Sequence, residues 1–275
     1  MVELWHYQFF LHAMAAIGLG SIVCGVIGTY IVSRRMVFIA GGITHSAFGG
    51  IGLAWYLGFP PLLGATLVAV AVSLITEHSI QHREFRQDTM IGILWSIGMA
   101  FGIVFVSQTP GYAPNLMSYL FGNILLVSQF DLYFMSGLAG LVILINWACY
   151  RQIIYTAFDR EFMLTRGVAV KTIQVVMSIL IALTIVIMIR IAGIMLVISL
   201  LTIPQTTANL FFRSYKKIVV ASILLALVSG LGGLVGAYYW NLPTGAAIII
   251  FATLVYLLAK LAKTGFRLWK KVDHE

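Results

Sequence analysis

The residue in this sequence with the clearest capacity for metal chemistry is His45, which lies within the stretch GGITHSAFGG from Gly41 to Gly50. A neutral imidazole is a good ligand for zinc, iron or manganese, and burying it costs far less than burying a charge. The surrounding glycines leave room for an ion or for a close neighbouring helix. The local sequence also allows a second interpretation, in which His45 is hydrogen-bonded to a facing helix and the glycines serve packing only.

Other ionisable residues give weaker indications of a metal or transport site. His78 and His82 are four residues apart, beside Glu77 and Glu84, and this spacing suits metal capture on one helix face. They lie at a boundary that we expect to be cytoplasmic, where a solvated polar face is the better explanation. Every acidic residue falls in a connection, a tail or a helix end, so we predict no carboxylate at mid-membrane. This pattern disfavours a proton- or sodium-coupled secondary transporter.

Enzymatic motifs are absent from the sequence. It contains no HExxH, no GxSG and no GxxxxGK[ST], the patterns of zinc peptidases, serine hydrolases and ATP-binding loops. His45 and Ser46 are adjacent, and adjacent side chains on a helix do not face each other, which disfavours a nucleophile–base pair. We predict no catalytic residue and no intrinsic cofactor, and any ATP hydrolysis must occur on another chain.

The elements that position His45 are predicted to be membrane helices. Of the 275 residues, 61% are hydrophobic and 9% are charged, whereas soluble domains are about 25% charged. Cys24 and Cys149 each lie within an apolar run, so neither a disulfide framework nor a structural zinc site is expected. We predict one all-α, multi-pass domain over residues 1–275. The first apolar run is too long for a signal peptide, and we expect it to remain as a helix.

Nine apolar runs are candidates for membrane crossing, with eight as the alternative because the sixth and seventh are barely separated. They cover residues 8–32, 37–57, 62–76, 89–107, 132–150, 168–189, 194–212, 218–239 and 244–259. Sixteen of the 17 lysines and arginines lie in alternate connections, and the other connections hold only Arg190. The positive-inside rule then predicts an external N-terminus, a cytoplasmic C-terminus and a basic tail over 260–275. The net charge of +8 therefore indicates topology and gives no reason to expect a nucleic-acid partner.

Small residues predict how these helices pack. Gly98 and Gly102 form a GxxxG pair, which lets helix backbones approach closely in lipid. Residues 115–128 are apolar but too short to span, and we predict a short or re-entrant helix there.

Six blocks of sequence, taken in order, resemble the permease subunits of bacterial ATP-binding-cassette importers for zinc, manganese or iron. The likeness covers nearly the whole chain. The blocks are GGITHSAFGGIGLAWYLG, RQDTMIGILWSIGMAFG, LFGNILLVSQFDL, FDREFMLTRGV, GIMLVISLLTIPQTTANLF and YYWNLPTGAAIII.

This resemblance implies a homodimer of permeases in the plasma membrane, with two cytoplasmic ATPase subunits and an external solute-binding protein that delivers the ion. It implies inward movement of a divalent metal by alternating access, with His45 in contact with the ion. It also implies that the cytoplasmic loop 151–171 couples the permease to the ATPase. The coupling residues implied by the match are Phe158, Asp159, Arg160, Glu161 and Phe162.

One position departs from the family pattern. Many relatives carry an aspartate four residues before the histidine, and this chain has Gly41 there. Each protomer then offers one strong ligand, and a two-fold dimer can present two His45 imidazoles across a central pathway. The missing carboxylate argues mildly against a site built for manganese. Two alternatives remain open from sequence: an importer of a metal chelate such as a siderophore, and a membrane anchor or sensor that transports nothing.

Overall fold

A computed structural model describes residues 7–82, 87–109, 122 and 124–272, and this part of the chain is helical, with short connections and no strand. In a bilayer the backbone has no water to bond, so a spanning segment of this chain must satisfy its polar groups within helices. The helices are α1 (Gln8–Ser33), α2 (Val37–Leu57), α3 (Pro61–His82), α4 (Gln87–Gln108), α5 (Gln129–Ala148), α6 (Tyr150–Phe158), α7 (Arg160–Thr165), α8 (Val170–Leu200), α9 (Ile203–Phe211), α10 (Tyr215–Trp240) and α11 (Thr244–Val272).

Local chemistry fixes several of these helix ends. Gly58 adopts a left-handed conformation (φ 77°) and ends α2, a role that glycine fills without steric cost. Ser128 and Asp131 form a reciprocal capping box that begins α5. The predicted segment 115–128 lies mostly outside the described residues, and its described end includes a short 3-10 turn, Ile124–Leu126.

Eight helical stretches in the described residues are long and apolar enough to cross a membrane. The sixth, Val170–Phe211, has 42 residues and covers all but the outermost residues of the predicted runs 168–189 and 194–212. It is interrupted at Gly193, whose backbone (φ 79°, ψ 163°) is not helical. The two predicted runs are therefore separate helical segments that meet at this glycine.

Contacts place Arg190, just before the break at Gly193, and Leu210, near the end of the 42-residue stretch, at opposite ends of the bundle. Arg190 is paired with Asp131 in the first turn of α5, with Nε and Oδ1 2.6 Å apart. Lys263 of α11 donates to the carbonyl of Leu210.

Lys263 lies at the end of the bundle where α5 finishes. Tyr150, which directly follows α5, has its ring 6.3 Å from that of Tyr215 at the start of α10. The backbones of Gly233 and Ile248 meet where α10 and α11 run antiparallel, so Lys263 lies near Tyr215. The chain thus traverses the bundle between residues 190 and 210. The 42-residue stretch therefore crosses the bundle twice, once before and once after Gly193. Within the described residues, eight helical stretches thus make nine crossings, and the predicted counts of eight and nine describe the same fold.

Two predicted helices were too short. The sequence predicted 62–76 and 244–259, whereas α3 extends to His82 and α11 extends to Val272. The predicted apolar runs end just before the first charged residue of each helix. The helix itself continues past a charged residue when that residue has an interaction partner. The basic residues predicted as a tail continue α11 as far as Val272.

Glu77 is the charged residue buried within α3, and its side chain is only 2% exposed. Arg34 at the end of α1 donates to Glu77 at 3.2 Å and to the Tyr30 hydroxyl at 3.0 Å, and the Ser178 hydroxyl on α8 donates to Glu77 at 3.3 Å. Burial by itself lowers the pKa of Arg34, but Tyr30 and Glu77 together hold it above its ordinary value, so the guanidinium stays charged. This network joins α1, α3 and α8 at the end of the bundle where α1 finishes.

Helices α2 and α4 pack with their backbones in close approach. A methyl group at Gly49 would lie 2.6 Å from the carbonyl oxygen of Gly98, and one at Gly52 would lie 2.6 Å from that of Gly102. The predicted use of the GxxxG pair for close packing is confirmed. In lipid such contact supplies dispersion energy that larger residues would prevent.

We expect Gly49→Ala to destabilise the protein, because the added methyl group must push α2 and α4 apart. Overpacking of this kind costs about 1–3 kcal/mol, and thermal unfolding of the purified protein in detergent would show it as a lower Tm. Gly18→Ala is the matched control, since Gly18 on α1 has no neighbouring atom within 4 Å of an added methyl group. An unchanged Tm for Gly49→Ala would contradict the close packing.

Candidate functional site

His45 lies in the first half of α2, on the face that packs against α4. Its side chain is half-buried, and its ring stacks on the indole of Trp95 from α4, with centroids 4.0 Å apart and planes inclined by 13°. The Nδ1 atom is buried without a hydrogen-bond partner. Nδ1 thus makes no hydrogen bond to the facing helix, which instead offers the ring an aromatic surface.

Gly41 explains how Trp95 reaches this position. A methyl group at Gly41 would lie 2.9 Å from Cζ3 of Trp95, so any side chain there must displace the indole. Phe38 lies on the other side of Trp95, with centroids 5.9 Å apart. Phe38, Gly41 and His45 share one face of α2 because they are three and four residues apart. The indole covers this face where the sequence has no side chain of its own.

The polar side chains next to His45 bond elsewhere. Thr44 donates to the carbonyl of Ala40 at 2.5 Å, and Ser46 donates to the carbonyl of Leu94 on α4 at 2.9 Å. The described residues contain no group of three or more His, Cys, Asp or Glu side chains that could together hold a metal. In the described part of the chain, His45 is therefore not a member of a preformed metal-binding cluster.

The structure describes only part of the second histidine pair. His78 is exposed on α3, and the side chain of His82 lies outside the described residues, so the solvated polar face stays a prediction. Glu77, the residue before His78, forms a salt bridge with Arg34.

The predicted coupling residues lie on two short helices in the connection between α5 and α8. Asp159 separates α6 from α7 and caps α7 by accepting from the Phe162 amide at 2.9 Å. Phe158 is 66% exposed and Phe162 is 48% exposed. Glu161 is also exposed, while Arg160 is half-buried and its Nε has no hydrogen-bond partner.

Sequence reasoning missed Trp95 as part of the site. Its block, RQDTMIGILWSIGMAFG, gave no sign that the indole would reach α2. The available signal was Gly41, because a glycine one turn before a candidate ligand can mark a position that another helix fills.

The long apolar helices of the described residues define a multi-pass α-helical membrane protein. The chain belongs to the ABC 3 transport family, whose pattern matches residues 6–263.

Comparison with known proteins agrees with this assignment. The chain is 38% identical to an uncharacterized membrane protein of Synechocystis over 94% of this chain and 92% of that one. It is 30% identical to the manganese transport system membrane protein MntC of Listeria monocytogenes, over 98% of this chain and 96% of that one. Among solved structures it resembles PsaBC from Streptococcus pneumoniae in complex with Fab, with a TM-score of 0.84, 26% identity, and coverage of 94% of this chain and 93% of that chain.

Proposed function

We propose that this permease imports a divalent metal ion and that His45 contacts the ion during transit. The observation that carries the proposal is a half-buried imidazole with an unpartnered nitrogen inside an apolar bundle. An ionisable residue within a membrane bundle is by default a functional candidate. The family match and the metal named for the Listeria relative support the choice of cargo.

The number of ligands suits a transport pathway. In a homodimer the two-fold axis can bring two copies of His45 to one route. Two protein ligands are fewer than the four of a structural zinc site. An ion held by two imidazoles and water remains able to leave, which conduction requires.

Energy for transport must come from a separate ATPase subunit. We assign its docking surface to the Phe158–Phe162 segment, because exposed aromatic side chains on short helices can transmit a rigid-body movement into the bundle. Lys263 and the segment lie at the same end of the molecule, where α5 and α11 finish. The excess of basic residues there supports a cytoplasmic location. An external solute-binding protein would deliver the ion to the opposite end.

We expect His45→Ala to abolish metal uptake while leaving the permease assembled with its ATPase. The physical reason is loss of the imidazole that we assign to the ion. Uptake of radiolabelled zinc and manganese into liposomes that contain the complex and its binding protein measures this effect.

His45→Cys provides the matched control, because a thiolate is also a good zinc ligand. We expect it to retain part of the zinc uptake. Wild-type uptake by His45→Ala would reject His45 as a contact residue, and a complete lack of uptake by the intact, ATP-hydrolysing wild-type complex would favour the anchor interpretation.

We expect Phe158→Ala combined with Phe162→Ala to weaken binding of the ATPase. Truncation of one aromatic anchor at an interface costs about 2 kcal/mol, which is roughly thirtyfold in affinity. Co-purification of the ATPase with the tagged permease measures the loss. Phe130→Ala is the control, since Phe130 is 60% exposed at the opposite end. Equal retention of the ATPase by the double variant and by Phe130→Ala would contradict the assignment.

A further inference from the structure

We propose that Trp95 determines the metal preference of the His45 site by restricting it to imidazole ligands. The preferred cation is then one that binds nitrogen strongly, such as zinc, rather than manganese. This inference rests on the proposed role of His45, and it adds a residue from a different helix to that site.

The first step is the space that Trp95 occupies. Gly41 lies one helical turn before His45 on the same face of α2, where a second ligand to a shared ion would have to stand. The indole fills this space, since even a methyl group at Gly41 would lie 2.9 Å from Cζ3 of Trp95. A carboxylate from this position is therefore excluded as long as Trp95 is present.

The second step is the orientation of the imidazole. Stacking at 4.0 Å with planes 13° apart covers one face of the ring and fixes its plane. A metal binds a ring nitrogen in that plane, so the stacked indole leaves metal binding possible. Because Nδ1 is buried, Nε2 is the nitrogen that we assign to the metal.

The third step is the absence of a ready-made ligand cluster. The described residues contain no group of three or more His, Cys, Asp or Glu side chains that could hold a metal, and the hydroxyls of Thr44 and Ser46 donate to the carbonyls of Ala40 and Leu94. The imidazole is then the ligand that we assign to the described part of this site. Imidazole suits zinc, whereas carboxylate, carbonyl and water suit manganese, and zinc lies well above manganese in the general order of affinities.

The test measures the zinc-to-manganese affinity ratio of the permease–ATPase complex without the binding protein, whose own selectivity would otherwise contribute. Competition with a calibrated chelator gives the zinc affinity, and electron paramagnetic resonance of free manganese gives the manganese affinity. We expect Gly41→Asp combined with Trp95→Ala to lower the zinc-to-manganese ratio about tenfold, equivalent to about 1.4 kcal/mol.

A second variant covers the case in which this double variant does not assemble. Trp95→Glu places a carboxylate beside His45 from α4 and leaves Gly41 unchanged, and it should shift the ratio in the same direction. Trp147→Ala is the matched control, since Trp147 on α5 is 79% exposed and far from α2 in sequence. It should leave the ratio at the wild-type value.

The outcomes separate this inference from the proposed function. If His45→Ala loses metal binding but the Gly41/Trp95 double variant and Trp95→Glu keep the wild-type ratio, Trp95 does not set the preference. If Gly41→Asp alone gains manganese affinity, the indole does not exclude the carboxylate, and the inference is also overturned. If His45→Ala binds zinc as the wild type does, the proposed function itself fails.

Discussion

The close approach of α2 and α4 is the constraint on which the candidate site depends. At Gly49, Gly52, Gly98 and Gly102 the absence of side chains lets the backbones of the two helices approach closely. This approach brings Trp95 over Gly41 and against His45. With a wider separation the indole would not reach the imidazole, and His45 would face either lipid or an empty cleft. The surroundings of His45 thus depend on glycines that have no reactive side chain.

Charged residues inside the bundle follow a complementary rule. Glu77 and Asp131 are both buried, and each has an arginine as partner. Removal of one member of a buried pair costs about 3–5 kcal/mol, because the other charge remains without compensation. This cost applies to Arg34 and Glu77, whereas Arg190 is 45% exposed and its pair with Asp131 is partly screened by solvent. The two pairs lie at opposite ends of the bundle and connect helices that are distant in sequence. His45 belongs to neither pair, and its buried Nδ1 has no hydrogen-bond partner. Other buried polar atoms share that property, so the chemistry of imidazole as a metal ligand is what makes His45 the candidate.

Much of this fold can be predicted from sequence, because length and apolar content define membrane helices with little ambiguity. The GxxxG pair and the position of His45 in the first half of α2 also follow from local pattern. The length of α3 does not, since it depends on Arg34, 43 residues away from Glu77. Trp95 could not be placed beside His45 either, because the contact depends on how two helices rotate about each other. The break at Gly193 was visible only as a weak separation between two apolar runs, and its nature depends on a backbone conformation that composition does not report.

The central claim is that each protomer offers one imidazole and no other protein ligand to a metal in transit. X-ray absorption at the zinc edge, on the permease–ATPase complex loaded with one zinc per dimer, tests it directly. The account predicts two imidazole nitrogens at about 2.0–2.1 Å, with water completing the coordination, and loss of the imidazole signal in His45→Ala. A zinc environment of carboxylates or thiolates, or an imidazole signal that survives in His45→Ala, would contradict it.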